Sequence, residues 1–246
     1  MKLLKIEIVK LYKRKNIKVL AAFYMAMMIA MSLFYLIAEK RFGLTLYTEG
    51  QFITSSLSLV MAGLMPLLAL YVASVTLGSE MSGGTLKNML LLPIKRGQLY
   101  LYKIVAVLIL IAGLLALQWL YSLIFSLLVD GAFSFTFLLK SVGEYIEAFL
   151  VLGLIVNLSS VLTLASKSTG ITIFSSYLLY VVLGFAGIYF PTFANVNPTT
   201  IIREYGYFFS SGGGIQLLST FAYYIIIVMT GLLLFDKKEE EICLYE

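Results

Sequence analysis

Apolar runs of about twenty residues, separated by short polar stretches, set the rhythm of the chain. Six runs carry no charged residue: 19–38, 57–77, 104–129, 148–165, 170–190 and 216–235. A helix needs about 20 apolar residues to cross a hydrocarbon core of about 30 Å. The strict two-residue alternation of a membrane barrel is absent, so each run predicts a helix. The expected fold is an all-α membrane protein with six transmembrane helices in one domain, 1–246.

Composition agrees with this class. The 246 residues are 61% hydrophobic and 13% charged, with a mean hydropathy of +0.96. An ordinary soluble domain is about 45–50% apolar and about 25% charged, and a water-soluble fold of this size has no interior large enough for so much apolar surface. Charge then gives orientation. With the N-terminus inside, 14 of the 18 Lys and Arg fall before the first run, between the second and third, at Lys167 or in the tail. The positive-inside bias predicts cytoplasmic termini and a cytoplasmic loop at 80–103. The same bias explains the net charge of +5, and no nucleic-acid partner is implied.

Residues 1–18 predict a basic amphipathic helix in the inner headgroup region. Leu4, Ile8 and Leu11 recur at helical spacing, widened by Val9 and Tyr12, while Lys2, Lys5, Lys10, Lys13 and Arg14 fan around the other side; Glu7 is the one acid in the segment. The alternative is a positive flank that only fixes topology. The basic region and the first run are both too long for a cleavable signal peptide. Pro66 should bend the second run, either as a hinge or as a static kink.

The polar stretch 80–103 interrupts this apolar pattern. Gly83 and Gly84 break the helix, Thr85 caps a short helix from Leu86 to Leu92, and Pro93 stops it. Leu86, Met89, Leu90 and Pro93 share one face. Such a helix either rests on the membrane surface or fills a groove on a partner.

Glu80, Gly84-Thr85-Leu86-Lys87, Pro93, Arg96 and Lys103, at this spacing, resemble the cytoplasmic loop of type-2 ATP-binding-cassette (ABC) transporter permeases. The six runs and the basic N-terminal helix extend the resemblance over essentially the whole chain. It implies that 80–103 is a coupling loop docking into a separate ATPase subunit through Glu80, Gly84, Thr85, Leu86, Lys87, Met89, Leu90, Pro93 and Arg96. It further implies two copies of that ATPase, a second copy of this chain or a paralogue, and a bacterial cytoplasmic membrane with lipid around it. The small size and lack of a large outer domain resemble exporters of amphipathic or hydrophobic peptides, serving toxin export or antimicrobial-peptide immunity. Drug, lipid or polysaccharide export is the alternative, as is a non-transporting scaffold or sensor using the same loop.

The chain itself is not expected to be an enzyme. Met81-Ser82-Gly83-Gly84-Thr85 resembles an ATPase signature, but no GxxxxGK[ST] loop accompanies it. No cofactor or metal is expected on this chain; ATP and Mg belong to the partner. The six runs hold no Asp, Glu, Lys, Arg or His, which disfavours an ion-coupled carrier. Within them, Gln118 and Asn157 either join helices or, with Pro66 and nearby Glu147, line a path or gate. Glu144 and Glu147 either form an outer vestibule or are solvated interfacial acids. Residues 192–214 are an outer loop or re-entrant helices, and 236–246 a cytoplasmic tail whose lone Cys243 has no partner for a disulfide within the chain.

Overall fold

The computed structural model describes residues 2–43, 52–82, 96–130, 135–166, 169–190, 197 and 214–244. These form eight α-helices: α1 (Lys2–Lys13), α2 (Lys15–Phe42), α3 (Phe52–Met61), α4 (Leu64–Ser82), α5 (Arg96–Asp130), α6 (Phe135–Ser166), α7 (Thr169–Tyr189) and α8 (Gly214–Leu244). No strand occurs among the described residues. Among the described residues, five helical stretches are long and apolar enough to cross a membrane: Lys15–Phe42, Leu64–Met81, Gly97–Val129, Phe137–Ser166 and Gly214–Phe235. Two further apolar stretches, Phe52–Met61 and Thr169–Leu183, are shorter.

Several boundaries differ from those expected. The 35 residues of α5 and 32 of α6 extend to about 50 Å each, well beyond a core of about 30 Å. The apolar runs therefore mark only the middle of each rod. Glu144 and Glu147 lie inside α6, not before it, and Glu147 is buried. Helix α8 continues through the charged tail to Leu244. The run at 57–77 is not one helix: α3 ends at Met61, Ala62 and Gly63 form a turn, and α4 starts at Leu64. Pro66 accounts for the break, because its ring excludes the carbonyl four residues back, that of Ala62. In the first turn of α4 its missing N–H leaves no bond unmade. The expected short helix at 86–92 and the outer segment 192–214 lie outside the described residues, apart from Asn197, whose Nδ2 donates to the Leu183 carbonyl at 2.7 Å, and Gly214, which opens α8.

The core is built around α4 and α6. Two thirds of each apolar window, 67%, is buried, against 22% for α2 and 17% for α8. Hydroxyl pairs join the central rods: Ser74 to Ser159 at 2.8 Å, Ser56 to Ser122 at 3.0 Å and Tyr100 to Ser160 at 2.8 Å. With no water to bind these groups, each finds a partner on a neighbouring helix. Glycines let α8 approach. A Cβ on Gly153 of α6 would lie 1.8 Å from Tyr224 Oη, which donates to the Leu150 carbonyl at 2.6 Å. A Cβ on Gly231 would similarly lie 2.1 Å from Tyr100 Oη. At one end, Phe52 and Phe125 pack at 4.5 Å between centroids, with Tyr35 against both. Gly43 closes α2 there with φ 62°, and its N–H bonds the Glu39 carbonyl at 3.1 Å.

The face that α1 turns inward corrects the expectation for it. Leu11 is buried in the core, with Leu3, Leu4 and Ile8 packed against that core. The expected stripe is therefore split: Leu4, Ile8 and Leu11 meet the bundle, whereas Val9 and Tyr12 are exposed together with Ile6.

Candidate functional site

At the end of the bundle opposite the aromatic cluster, α1, α4 and α5 converge on four charges. Lys103 Nζ donates to Glu80 Oε2 and, at 3.2 Å, to Glu7 Oε1; Lys10 Nζ donates to the other Glu80 oxygen. The Lys103 side chain is fully buried and those of Glu7 and Glu80 are 3% exposed, while Lys10, at 35%, still reaches outward. Two carboxylates and two ammonium groups make a neutral set. Neutrality is what allows the burial, since a lone charge there would cost several kcal/mol of lost hydration (order of magnitude).

Local sequence explains how each charge arrives. Glu7 lies between Leu4 and Leu11 on the inward face of α1, and Lys10 follows one turn later. Glu80 lies in the last turn of α4, and Lys103 is two turns into α5, next to buried Leu99 and Tyr100. Arg14, extended between α1 and α2, donates from Nη1 to the Val75 carbonyl on α4 at 2.8 Å. The α1–α2 corner is thus fastened to α4, although nothing in Lys13-Arg14-Lys15 breaks a helix by itself.

This arrangement reassigns part of the expected site. Glu80, expected at the start of a docking contact, turns its carboxylate into the chain. Lys103, the last residue of the loop pattern, is the most deeply buried of the four charges. Together they close the base of the connection 83–95, joining the helix that leaves to the helix that returns. Gly84, Thr85, Leu86, Lys87, Met89, Leu90 and Pro93 lie outside the described residues, as does the Arg96 side chain, whose backbone opens α5. On α1, Lys5 and Lys13 are exposed, whereas Glu7 and Lys10 belong to the charged set.

The expected path residues sit on three helices. Pro66 is in α4. Gln118 of α5 is buried and accepts a hydrogen bond from Tyr24 Oη of α2, its Nε2 having no partner among the described residues. Asn157 of α6 donates back to the Gly153 carbonyl at 2.7 Å. Glu147 is buried on the same helix. The neighbouring Trp119 Nε1 donates to Ser141 Oγ at 3.2 Å, joining α5 to α6. Sequence reading missed Tyr24 and the Glu7–Lys103 pair. The available signal was Glu7 itself, a lone acid on the apolar side of a basic helix. No group of acids, histidines or cysteines able to hold a metal occurs among the described residues.

Such a site does no covalent chemistry. It ties an N-terminal helix to both ends of a loop. Residues 3–187, about three quarters of the chain, match the model of a family described as ABC-2 family transporter protein. The chain belongs to that family. All four residues of the charged set fall within the matched stretch of this ABC-2 chain, while α8 lies beyond it. No curated protein matches the chain. Membership makes it a membrane permease of an ABC transporter, and the apolar helices accord with residence in a membrane.

Proposed function

We propose that this ABC-2 chain is the permease half of an ATP-driven exporter of amphipathic or hydrophobic peptides, working as a pair with two copies of a separate ATPase. The charged set Glu7–Lys10–Glu80–Lys103 carries the reading. It makes the base of 83–95, the last turn of α4, the first turns of α5 and α1 move as one body. An ATPase that grips this loop through Leu86, Met89 and Leu90 moves α4 and α5 together when it closes. The break at Ala62–Gly63 lets α4 tilt against α3, the shape change that opens a path on the other side. Loop, termini and ATPase lie in the cytoplasm, and six crossings, counting α3 with α4 and including α7, bring the chain back to that side.

Peptide cargo is supported by the lining available in the bundle. A concavity between α5 and α6 is apolar, lined by Leu115, Val142, Ile146 and Phe149 with Trp119 and Tyr145 beside them. That chemistry suits a side chain or a folded amphipathic segment better than a bare ion. The experiment is ATP hydrolysis by the permease co-purified with its ATPase in nanodiscs. Amphipathic cationic peptides should stimulate turnover several-fold. Stimulation by lipid-linked saccharides or aromatic drugs with no response to peptides would refute the cargo, and failure of any ATPase to co-purify would refute the assembly.

A further inference from the structure

The α2–α4 side of the bundle carries a feature unconnected with loop or cargo. A concavity of about 310 Å³ runs between these helices, lined by Leu20 and Phe23 of α2, by Leu67, Leu68 and Tyr71 of α4, and closed by Ile173 of α7. Phe23 and Leu67, about half exposed, form a rim open to the outside of the bundle. Val75 follows one turn beyond Tyr71 on α4, past the end of the lining, and there the surroundings become cationic. Asn16 Nδ2 donates to Tyr71 Oη at 3.4 Å, and the Arg14 guanidinium lies on the Val75 carbonyl at 2.8 Å. Exposed Lys15 and Lys18 follow in the first turn of α2. Among the described residues no carboxylate pairs with Arg14 or Lys15, because Glu7 and Glu80 are both taken up by Lys10 and Lys103.

We infer that this groove is a binding site for one anionic phospholipid of the leaflet on the α1 side, its acyl chain along Leu67 and Leu68 and its phosphate on Arg14. Size selects the occupant. A helix of a second copy is about 10–12 Å across with its side chains and does not enter 310 Å³, whereas a single acyl chain does. Inside a bilayer an apolar groove gives no preference by itself, since lipid tails are as apolar as leucine. Selection comes from the headgroup. An arginine with one N–H committed to a carbonyl retains four donors in a planar fork, the geometry that takes a phosphate in two parallel bonds. The bound lipid braces α2 against α4, two helices otherwise joined through few direct contacts.

Native mass spectrometry of the purified chain, exchanged into micelles containing either phosphatidylglycerol or phosphatidylcholine, tests the site independently of cargo, direction or ATPase. One retained phosphatidylglycerol per chain is expected, favoured over phosphatidylcholine by roughly ten-fold, because both carry the phosphate that Arg14 binds but only phosphatidylcholine adds a choline cation that this guanidinium repels. Arg14→Gln should abolish the preference while leaving both lipids able to bind weakly. Leu67→Trp, which fills the groove without changing charge, should reduce occupancy by both. Circular dichroism confirms helix content in each variant, and Arg14→Lys, keeping charge without the fork, should fall between wild type and Arg14→Gln. Absence of retained lipid in the folded wild type, or a preference unchanged in folded Arg14→Gln, overturns the assignment. Unchanged occupancy in folded Leu67→Trp moves the lipid out of this groove and overturns it equally.

Discussion

Replacing Lys103 by methionine removes the cation shared by Glu7 and Glu80. At 3.2 Å and an effective dielectric constant of about 20, each such attraction is worth about 5 kcal/mol gross. Desolvation offsets most of this in the intact set, so the set as a whole adds little net stability. Breaking it is different. Lys103→Met leaves two buried carboxylates with only the partly exposed Lys10, and should cost about 3–5 kcal/mol. Glu80→Gln is milder, because Lys103 keeps Glu7 and Lys10 can turn to water. The double variant Lys103→Met/Glu80→Gln leaves one charge of each sign, so its cost should fall below the sum of the singles by at least about 2 kcal/mol. Reversible unfolding by dodecyl sulfate in mixed micelles measures this, read through Trp119, the single tryptophan. Additivity within about 0.5 kcal/mol would refute a coupled set. So would a cost for Lys103→Met below about 1 kcal/mol, the value of an exposed pair. The same variants separate two roles for Glu80. If Lys103→Met reduces ATPase association as much as a change at Glu80 does, the set acts by holding the loop's base. A loss confined to Glu80 variants would make that carboxylate a direct contact.

Two further perturbations examine the packing that surrounds this set. Gly153→Ala drives a methyl into Tyr224 Oη and should cost about 2–4 kcal/mol from overpacking and loss of the bond to Leu150; adding Tyr224→Phe removes the clashing oxygen and should recover at least half, in the same unfolding assay. Tyr24→Phe leaves the whole Gln118 amide unpaired and should cost about 1–3 kcal/mol, which Tyr24→Phe/Gln118→Leu recovers. Restored stability with lost peptide-stimulated turnover would assign Gln118 to the transport path, while recovery of both would leave it a packing residue.

Much of this fold was legible as a pattern along the chain. The apolar runs located the rods because a bilayer imposes one length on every crossing, and length can be read without knowing neighbours. Pro66 announced an interruption within one turn of where it occurs, since the clash reaches back only four residues. Where each rod stops was not legible: α5 and α6 continue past their apolar centres because charged and small residues extend a helix readily outside the hydrocarbon.

The sequence alone determined that the chain is a set of membrane-length helices with a basic amphipathic segment in front and one polar loop of consequence. The partners of its buried charges were settled only in three dimensions. Glu7 meets Lys103 across 96 positions, Lys10 meets Glu80 across 70, and Tyr24 meets Gln118 across 94. Helical periodicity reports which residues share a face within a turn or two, and it placed Leu4, Ile8 and Leu11 together correctly. It carries no information on whether that face will meet lipid or protein. That choice depended on α5 offering Lys103 to Glu7, a compensation available only once both helices were in place.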